Sequence, residues 1–172
     1  MSEPLGAPRP LAPDDDLDAF SCGVAPLDDW LRRRARGHEA EGASRTVVCC
    51  AGKRVAGYYS LAAGSVLREA ATGAVRRNMP EPVPAVLIGR LAVDTQWQRK
   101  RLGISLLHDA VLRIVGAAGT IGVRAILVHA ISDEAKAFYD RHGFRASPLD
   151  PLTLMITVDE AERMMGERPE SQ

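Results

Sequence analysis

Gln98-Arg99-Lys100-Arg101-Leu102-Gly103 lies between an apolar run at 85–93 and an amphipathic run at 102–115. This succession reads as a strand, a basic turn and a helix. A helix start carries backbone amides with no intrahelical partner, and together with the macrodipole they favour an anion placed there. The turn therefore reads as a seat for a pyrophosphate, and so for a coenzyme. A second segment, Lys136-Ala137-Phe138-Tyr139-Asp140-Arg141-His142-Gly143-Phe144, reads as a short helix that carries a tyrosine and ends in glycine.

Downstream of the turn the pattern predicts a strand at 124–130, a helix at 133–141 stopped by His142-Gly143, a strand at 153–158 and a tail helix at 159–165. Upstream it predicts the strand 86–93 and, earlier, an amphipathic helix at 26–40 with Leu27, Trp30, Leu31 and Ala35 on one face. Between them, strands at 46–51 and 55–62 flank Gly52-Lys53-Arg54 as a hairpin. The connection 63–84 contains Pro80, Pro82 and Pro84, which read as barred from a central strand or helix. Strands that first pair locally and then alternate with helices point to a mixed α/β (α+β) sheet with flanking helices. No internal repeat is visible.

The chain has 172 residues, enough for one domain with a real core, 46% of them hydrophobic and 26% charged. The expected organisation is a flexible segment at 1–13, which holds four prolines, a single domain at 14–165 and a flexible tail at 166–172. Lys plus Arg and Asp plus Glu are each 22, so the total charge says nothing for nucleic acid. The distribution says more: Arg32 to Arg36, Arg76-Arg77 and Arg99 to Arg101 are basic blocks that could share a phosphate-bearing partner or be solvated helix surface. Cys22, Cys49 and Cys50 form an odd set without a secretory leader, which fits a reduced, cytoplasmic protein. No apolar run approaches the roughly 20 residues needed to span a bilayer, and no metal-ligand spacing is present.

The turn resembles the Gln/Arg-x-x-Gly-x-Gly/Ala motif of the GCN5-related N-acetyltransferase (GNAT) superfamily, and Phe138-Tyr139-x-x-x-Gly143-Phe144 matches its second signature. An ordered series narrows the resemblance: Cys22-Gly23, Leu27-Asp28-x-Trp30-Leu31, Ser44-Arg45-Thr46, Gly57-Tyr58-Tyr59, Arg77-Asn78-Met79-Pro80, Gly89-Arg90-Leu91-Ala92-Val93-Asp94, Val128-His129-Ala130 and Ser147-Pro148. This set is similar to the TacT/AtaT type of toxin, acetyltransferases that modify aminoacyl-tRNA and are paired with a ribbon-helix-helix antitoxin. The departure is Arg101, which stands at the first motif glycine, with Arg99 at a position often glycine in relatives. Arginine adds charge but imposes a Cβ, so either side-chain binding or a clash at the pyrophosphate would follow.

The resemblance implies a GNAT fold in which two parallel strands, 86–93 and 124–130, splay apart to admit acetyl-CoA. Leu91, Ala92 and Val93 would offer backbone groups to the pantetheine, with an amide near Leu91 or Ala92 polarising the thioester carbonyl. Gln98, Arg99, Lys100, Arg101, Leu102, Gly103 and Ile104 would form the phosphate seat, and Ser132 and Phe138 would complete the coenzyme set. Tyr139 would protonate or hydrogen-bond the leaving sulfur; set against that is a core anchoring role. No general base stands out among His129, Asp133, Glu134 and His142, and an α-amino group with a reference pKa of about 8 has little need of one.

Arg45, Arg76, Arg77 and Arg90 are the side chains expected around the tRNA acceptor stem, with Lys100 or Arg101 as additions; a sheet-edge ion pair is the other role for Arg90. The resemblance further implies a homodimer, an antitoxin partner, and contact with DNA only through that antitoxin. Two other readings stay open: acetylation of a protein or small-molecule amine, and a catalytically weak antitoxin-binding module.

Overall fold

The computed structural model describes residues 3–166. Its strands are β1 (Arg9–Pro10), β2 (Arg45–Ala51), β3 (Arg54–Val66), β4 (Val83–Val93), β5 (Ala125–His129), β6 (Arg145–Ala146) and β7 (Thr153–Thr157). They form one mixed sheet in the order β1-β2-β3-β4-β5-β7-β6, with β4 and β5 parallel. The helices are α1 (Ala25–Arg33), α2 (Ala35–Glu41), α3 (Gly73–Arg76), α4 (Leu102–Ala118), α5 (Asp133–Arg141) and α6 (Val158–Ala161), the last followed by a π-type turn over Glu162–Gly166. This is the mixed, helix-flanked sheet expected from the sequence. By compactness the chain divides into two units, Met1–Ala62 with Gly89–Asp109, and Ala63–Ile88 with Ala110–Gln172.

In the first unit the expected helix at 26–40 is two helices. Arg34 leaves helical geometry at φ −118°, closing α1 with a bond to Trp30 O at 2.8 Å and opening α2 through His38 N to Arg34 O at 2.9 Å. The apolar spacing continues through the break, which is why periodicity alone misses it: Trp30, Leu31 and Ala35 are all buried. The core gathers Phe20, Trp30, Leu31, Val48, Val55, Tyr58 and Ala92, with Trp30 stacked on Tyr58 at 6.0 Å and Phe20 edge-on to Tyr58 at 5.4 Å. The larger of these side chains, such as Phe20, Leu31 and Val48, each contribute about 1.5–3 kcal/mol by leaving water.

The segment expected to be flexible at 1–13 is laid along β2 over the described residues. Arg9 and Pro10 pair with Val48 and Val47, and Gly6 N and Leu11 N bond to Cys50 O and Thr46 O at 2.9 and 3.0 Å. Arg9 then forks onto the buried Asp15 carboxylate at 2.7 and 2.9 Å, a charge-assisted anchor that proline counting does not reveal. The tail expected at 166–172 lies, beyond Gly166, outside the described residues.

In the second unit the connection 63–84 carries regular structure of its own. β3 runs on to Val66, a 3-10 turn covers Arg68–Ala70, and α3 is capped by Thr72. Partners far along the chain hold it: Ser147 Oγ donates to Ala70 O at 2.6 Å, and Arg124 donates to Ala74 O and Val75 O at 2.7 and 3.2 Å. Pro84, expected outside any central strand, is the second residue of β4. The ladder of β4 with β5 begins one residue later, at Ala85↔Ala125. Val66, Val75, Val83, Ala85, Leu127 and Met155 close this unit's core.

Candidate active site

The turn before α4 is held by a buried acid. The Asp94 carboxylate, 1% exposed, accepts Gln96 N at 2.9 Å and Ser21 N at 3.0 Å, with Arg54 at 3.5 Å. Asp94 N in turn bonds to Ala56 O at 2.8 Å, so β3, β4 and the Ser21 segment converge on one residue. Gln98 adds a second tie: its Nε2 donates to Val93 O at 2.8 Å and to Cys22 O at 2.9 Å. Both partners are acceptors, which settles the amide orientation.

Arg99 and Arg101 adopt φ of +63° and +65°. These are left-handed conformations that glycine takes freely and that a residue with a Cβ takes at about 1–2 kcal/mol. Both positions where the sequence departs from the motif thus hold a backbone conformation that suits glycine. Successive amides in such a turn form an anion-binding nest, and the first intrahelical bond of α4 is Ser105 N to Arg101 O at 3.1 Å. The amides of Leu102, Gly103 and Ile104 are thus left without a partner among the described residues. Arg99, Lys100 and Arg101 are exposed and make no ion pair there. Gly57 lets the helix start approach: a Cβ on it would meet Leu106 Cδ1 at 2.8 Å and Leu102 Cδ2 at 3.2 Å.

The parallel ladder of β4 with β5 ends at Ile88↔Val128, while β4 continues to Val93. Leu91, Ala92 and Val93 belong to that continuation, and the Val93 carbonyl is already engaged by Gln98.

Tyr139 lies in the second unit on α5, whose bounds match the sequence expectation. Ser132, expected among the coenzyme residues, uses its hydroxyl as the N-cap, accepting Ala135 N at 3.1 Å. Gly143, at φ +90°, ends the helix. The Tyr139 ring is buried against Phe144 at 5.4 Å and Phe138 at 5.2 Å. Burial pushes its phenol up to about 12, and its hydroxyl has no hydrogen-bond partner among the described residues. Asp133 and Glu134 sit exposed in the first turn of α5, where negative charge suits the dipole. His129 bonds Thr153 Oγ1 at 3.0 Å, and His142, packed on Phe138 at 5.0 Å, has its pKa lowered by burial and by Arg141. None of the four is thereby marked as a general base.

The basic residues do not share one environment. In the first unit Arg45 is exposed and paired with Glu39 at 3.0 Å. Arg90 is half-buried, its guanidinium 4.2 Å above the Trp30 ring, with its pKa lowered by burial. It has no carboxylate partner among the described residues, so the sheet-edge ion pair does not form. In the second unit Arg76 and Arg77 are exposed at the end of α3 without ion pairs among the described residues, and Arg68 anchors that end by donating to Arg76 O and Met79 O. Asp94 and the Trp30 platform were missed as site-building residues. The Asp94-x-Gln96 spacing, an Asx turn, was the legible signal for the first. A cavity of about 540 Å³ in the second unit, lined by Pro84, Val115, Ala118, Val123 and Val158, contains none of the expected site residues.

Comparison with known proteins adds a family. Residues 42–146 match the acetyltransferase (GNAT) domain. The chain is 51% identical over 161 residues to a protein of Mycobacterium tuberculosis (strain ATCC 25618 / H37Rv) named tRNA-acetylating toxin, covering 94% of this chain and 97% of that one. Among solved structures, AtaT complexed with acetyl-methionyl-tRNAfMet superposes with TM-score 0.85 at 24% identity, covering 93% of this chain and 98% of that one. A tyrosine-to-phenylalanine mutant of the AtaT toxin, bound to the C-terminus of the antitoxin AtaR, gives TM-score 0.82 at 23% identity, covering 95% and 99%. At those identities the two structures share the fold with this chain.

Proposed function

The chain belongs to the acetyltransferase (GNAT) family, and from that premise we propose that it is a toxin that acetylates the α-amino group of aminoacyl-tRNA from acetyl-CoA and so stops translation. The observation that carries the substrate is the 51% identity, over nearly the whole of both chains, to a tRNA-acetylating toxin. Support for the coenzyme is local: a nest of amides with left-handed Arg99 and Arg101 at the start of α4, beside three exposed cations, fits a pyrophosphate.

In this reading acetyl-CoA supplies an activated acyl group as a thioester. Backbone groups of Leu91, Ala92 and Val93 hold its pantetheine arm, and the turn from Arg99 to Ile104 holds its phosphates, with Phe138 as an apolar neighbour. An amide at Leu91 or Ala92 faces the charge that develops on the carbonyl oxygen as the amine nitrogen forms its bond to carbon. As the carbon–sulfur bond breaks, the Tyr139 hydroxyl donates a hydrogen bond to the departing sulfur. Full proton delivery from a phenol at about 12 to a thiolate with a reference pKa of about 8.5 is uphill by about 5 kcal/mol. Tyr139 therefore acts mainly by stabilising charge. The amine's own proton leaves to water, since an α-amino group has a reference pKa of about 8.

Arg45, Arg76, Arg77 and Arg90 are assigned to the tRNA. Arg90, desolvated over Trp30 and lacking a carboxylate, suits a phosphate best; Arg45 must first loosen from Glu39. A relative bound to an antitoxin C-terminus supports an antitoxin partner for this chain; the ribbon-helix-helix type of that antitoxin, DNA reached only through it and a homodimer as the acting form rest on the family resemblance. Among the described residues no helix is long and apolar enough to cross a membrane, and the cytoplasm, where charged tRNA resides, is the proposed compartment. The deciding experiment incubates the protein with labelled acetyl-CoA and total charged tRNA. Label on the aminoacyl moiety is expected; label only on protein or small amines, or none, would overturn the reading in favour of the other acceptors or a binding module.

A further inference from the structure

We infer that Gln98 is a positioning residue whose side chain holds the phosphate turn in its left-handed form, rather than a contact to the coenzyme. The inference rests on the acetyl-CoA reading above. Two residues with a Cβ, Arg99 and Arg101, occupy a backbone region they disfavour, at φ of +63° and +65°. Something must over-determine that geometry. Gln98 stands immediately before them, itself extended at φ −66° and ψ 155°. Its Nε2 spends both hydrogens on carbonyls outside the turn, Val93 O at 2.8 Å on the end of β4 and Cys22 O at 2.9 Å in the segment before α1.

The adjoining Asp94 hub holds those same two segments together. Its carboxylate takes Ser21 N at 3.0 Å, and Thr95 N bonds Ser21 O at 2.9 Å. Gln98 thus extends a preset frame to the foot of the turn. With both amide hydrogens so used, the nitrogen has no donor left for a phosphate. The remaining oxygen is an acceptor, which repels an anion. Freed from its tether, the turn would relax toward negative φ at Arg99 and Arg101 and turn its amides away from a common centre.

The chemistry at this position must therefore be that of a double donor. Glutamate has the same shape but only acceptors, facing two carbonyl oxygens; arginine can donate to both. Calorimetric titration of the full chain with acetyl-CoA tests this, with circular dichroism and thermal melts confirming that each variant folds. Gln98→Ala and Gln98→Glu are expected to weaken binding about tenfold, the loss appearing mainly in KM for acetyl-CoA, and Gln98→Arg to restore it to within about threefold of wild type. In the background Arg99→Gly with Arg101→Gly, where positive φ carries no penalty, Gln98→Ala should weaken binding by less than about threefold.

Unchanged affinity in Gln98→Ala and Gln98→Glu overturns the inference alone, the coenzyme reading standing. Equal weakening in both backgrounds also overturns it, since that marks a direct contact. Absence of binding by the wild-type chain sinks the coenzyme reading and this inference together.

Discussion

The turn at 98–103 and the segment 132–144 are both helix boundaries, and they are specified in opposite ways. The second is written locally: Ser132 caps α5 from three residues away, and Gly143 ends it at φ +90°. The first is written at long range, by Asp94 reaching Ser21 across 73 positions and Gln98 reaching Cys22 across 76. A boundary carried by its own residues tolerates little change within them. One carried by a distant frame can lose its motif glycine to Arg101 and keep its backbone.

The largest effect should fall on the local segment. Tyr139→Phe is expected to fold, to bind acetyl-CoA and to lose at least about a hundredfold in kcat, measured on charged tRNA; a loss under about threefold would reduce Tyr139 to an anchor in α5. Its pH behaviour follows from burial. With the phenol pushed up to about 12 from a usual value near 10, it stays protonated through the assay range. The ratio of wild-type to Tyr139→Phe rates should therefore be flat from about pH 7 to about pH 10. A ratio already falling by about half at pH 10 would show a phenol that titrates normally.

Next comes the hub of the long-range boundary. Asp94→Ala leaves the Ser21 and Gln96 amides unpartnered and should lower stability by about 2–3 kcal/mol in chemical denaturation. Ser132→Ala removes only an exposed cap and should cost about 1 kcal/mol by the same measurement. Equal values for these two would erase the contrast between the boundaries. The smallest effect expected is Arg99→Gly. Relief of the left-handed strain outweighs the extra freedom of the unfolded chain, so stability should rise by about 0.5 kcal/mol; a fall would mean that the Arg99 side chain contributes packing of its own.

Legibility in the sequence followed the same division. The hairpin of β2 and β3 was readable because Gly52 supplies positive φ between two apolar runs, and α5 because its caps adjoin it. The single helix expected at 26–40 failed at Arg34, where the backbone breaks without disturbing the buried face of Trp30, Leu31 and Ala35. The pairing of 3–13 and the turns within 63–84 were not legible because their partners, Asp15 and β2 for one and Ser147 and Arg124 for the other, lie outside any local window. Within the candidate site, the residues of the turn were legible as a motif. The conformation of Arg99 and Arg101 was not, nor was the indole beneath Arg90.

By itself the order of residues determined the alternation of strands and helices, the basic turn that opens α4 and the kinship with GNAT acetyltransferases, since periodicity, caps and motif spacing act over a few neighbours. Tertiary structure alone decided that Arg99 and Arg101 take the left-handed backbone where glycine is expected, that Arg90 rests on Trp30 instead of a carboxylate, and that Arg9 and Pro10 form an edge strand. Each of these is set by hydrogen bonds or ring contacts between residues distant in the chain, whose free energy exceeds local preference only once the fold has brought them together.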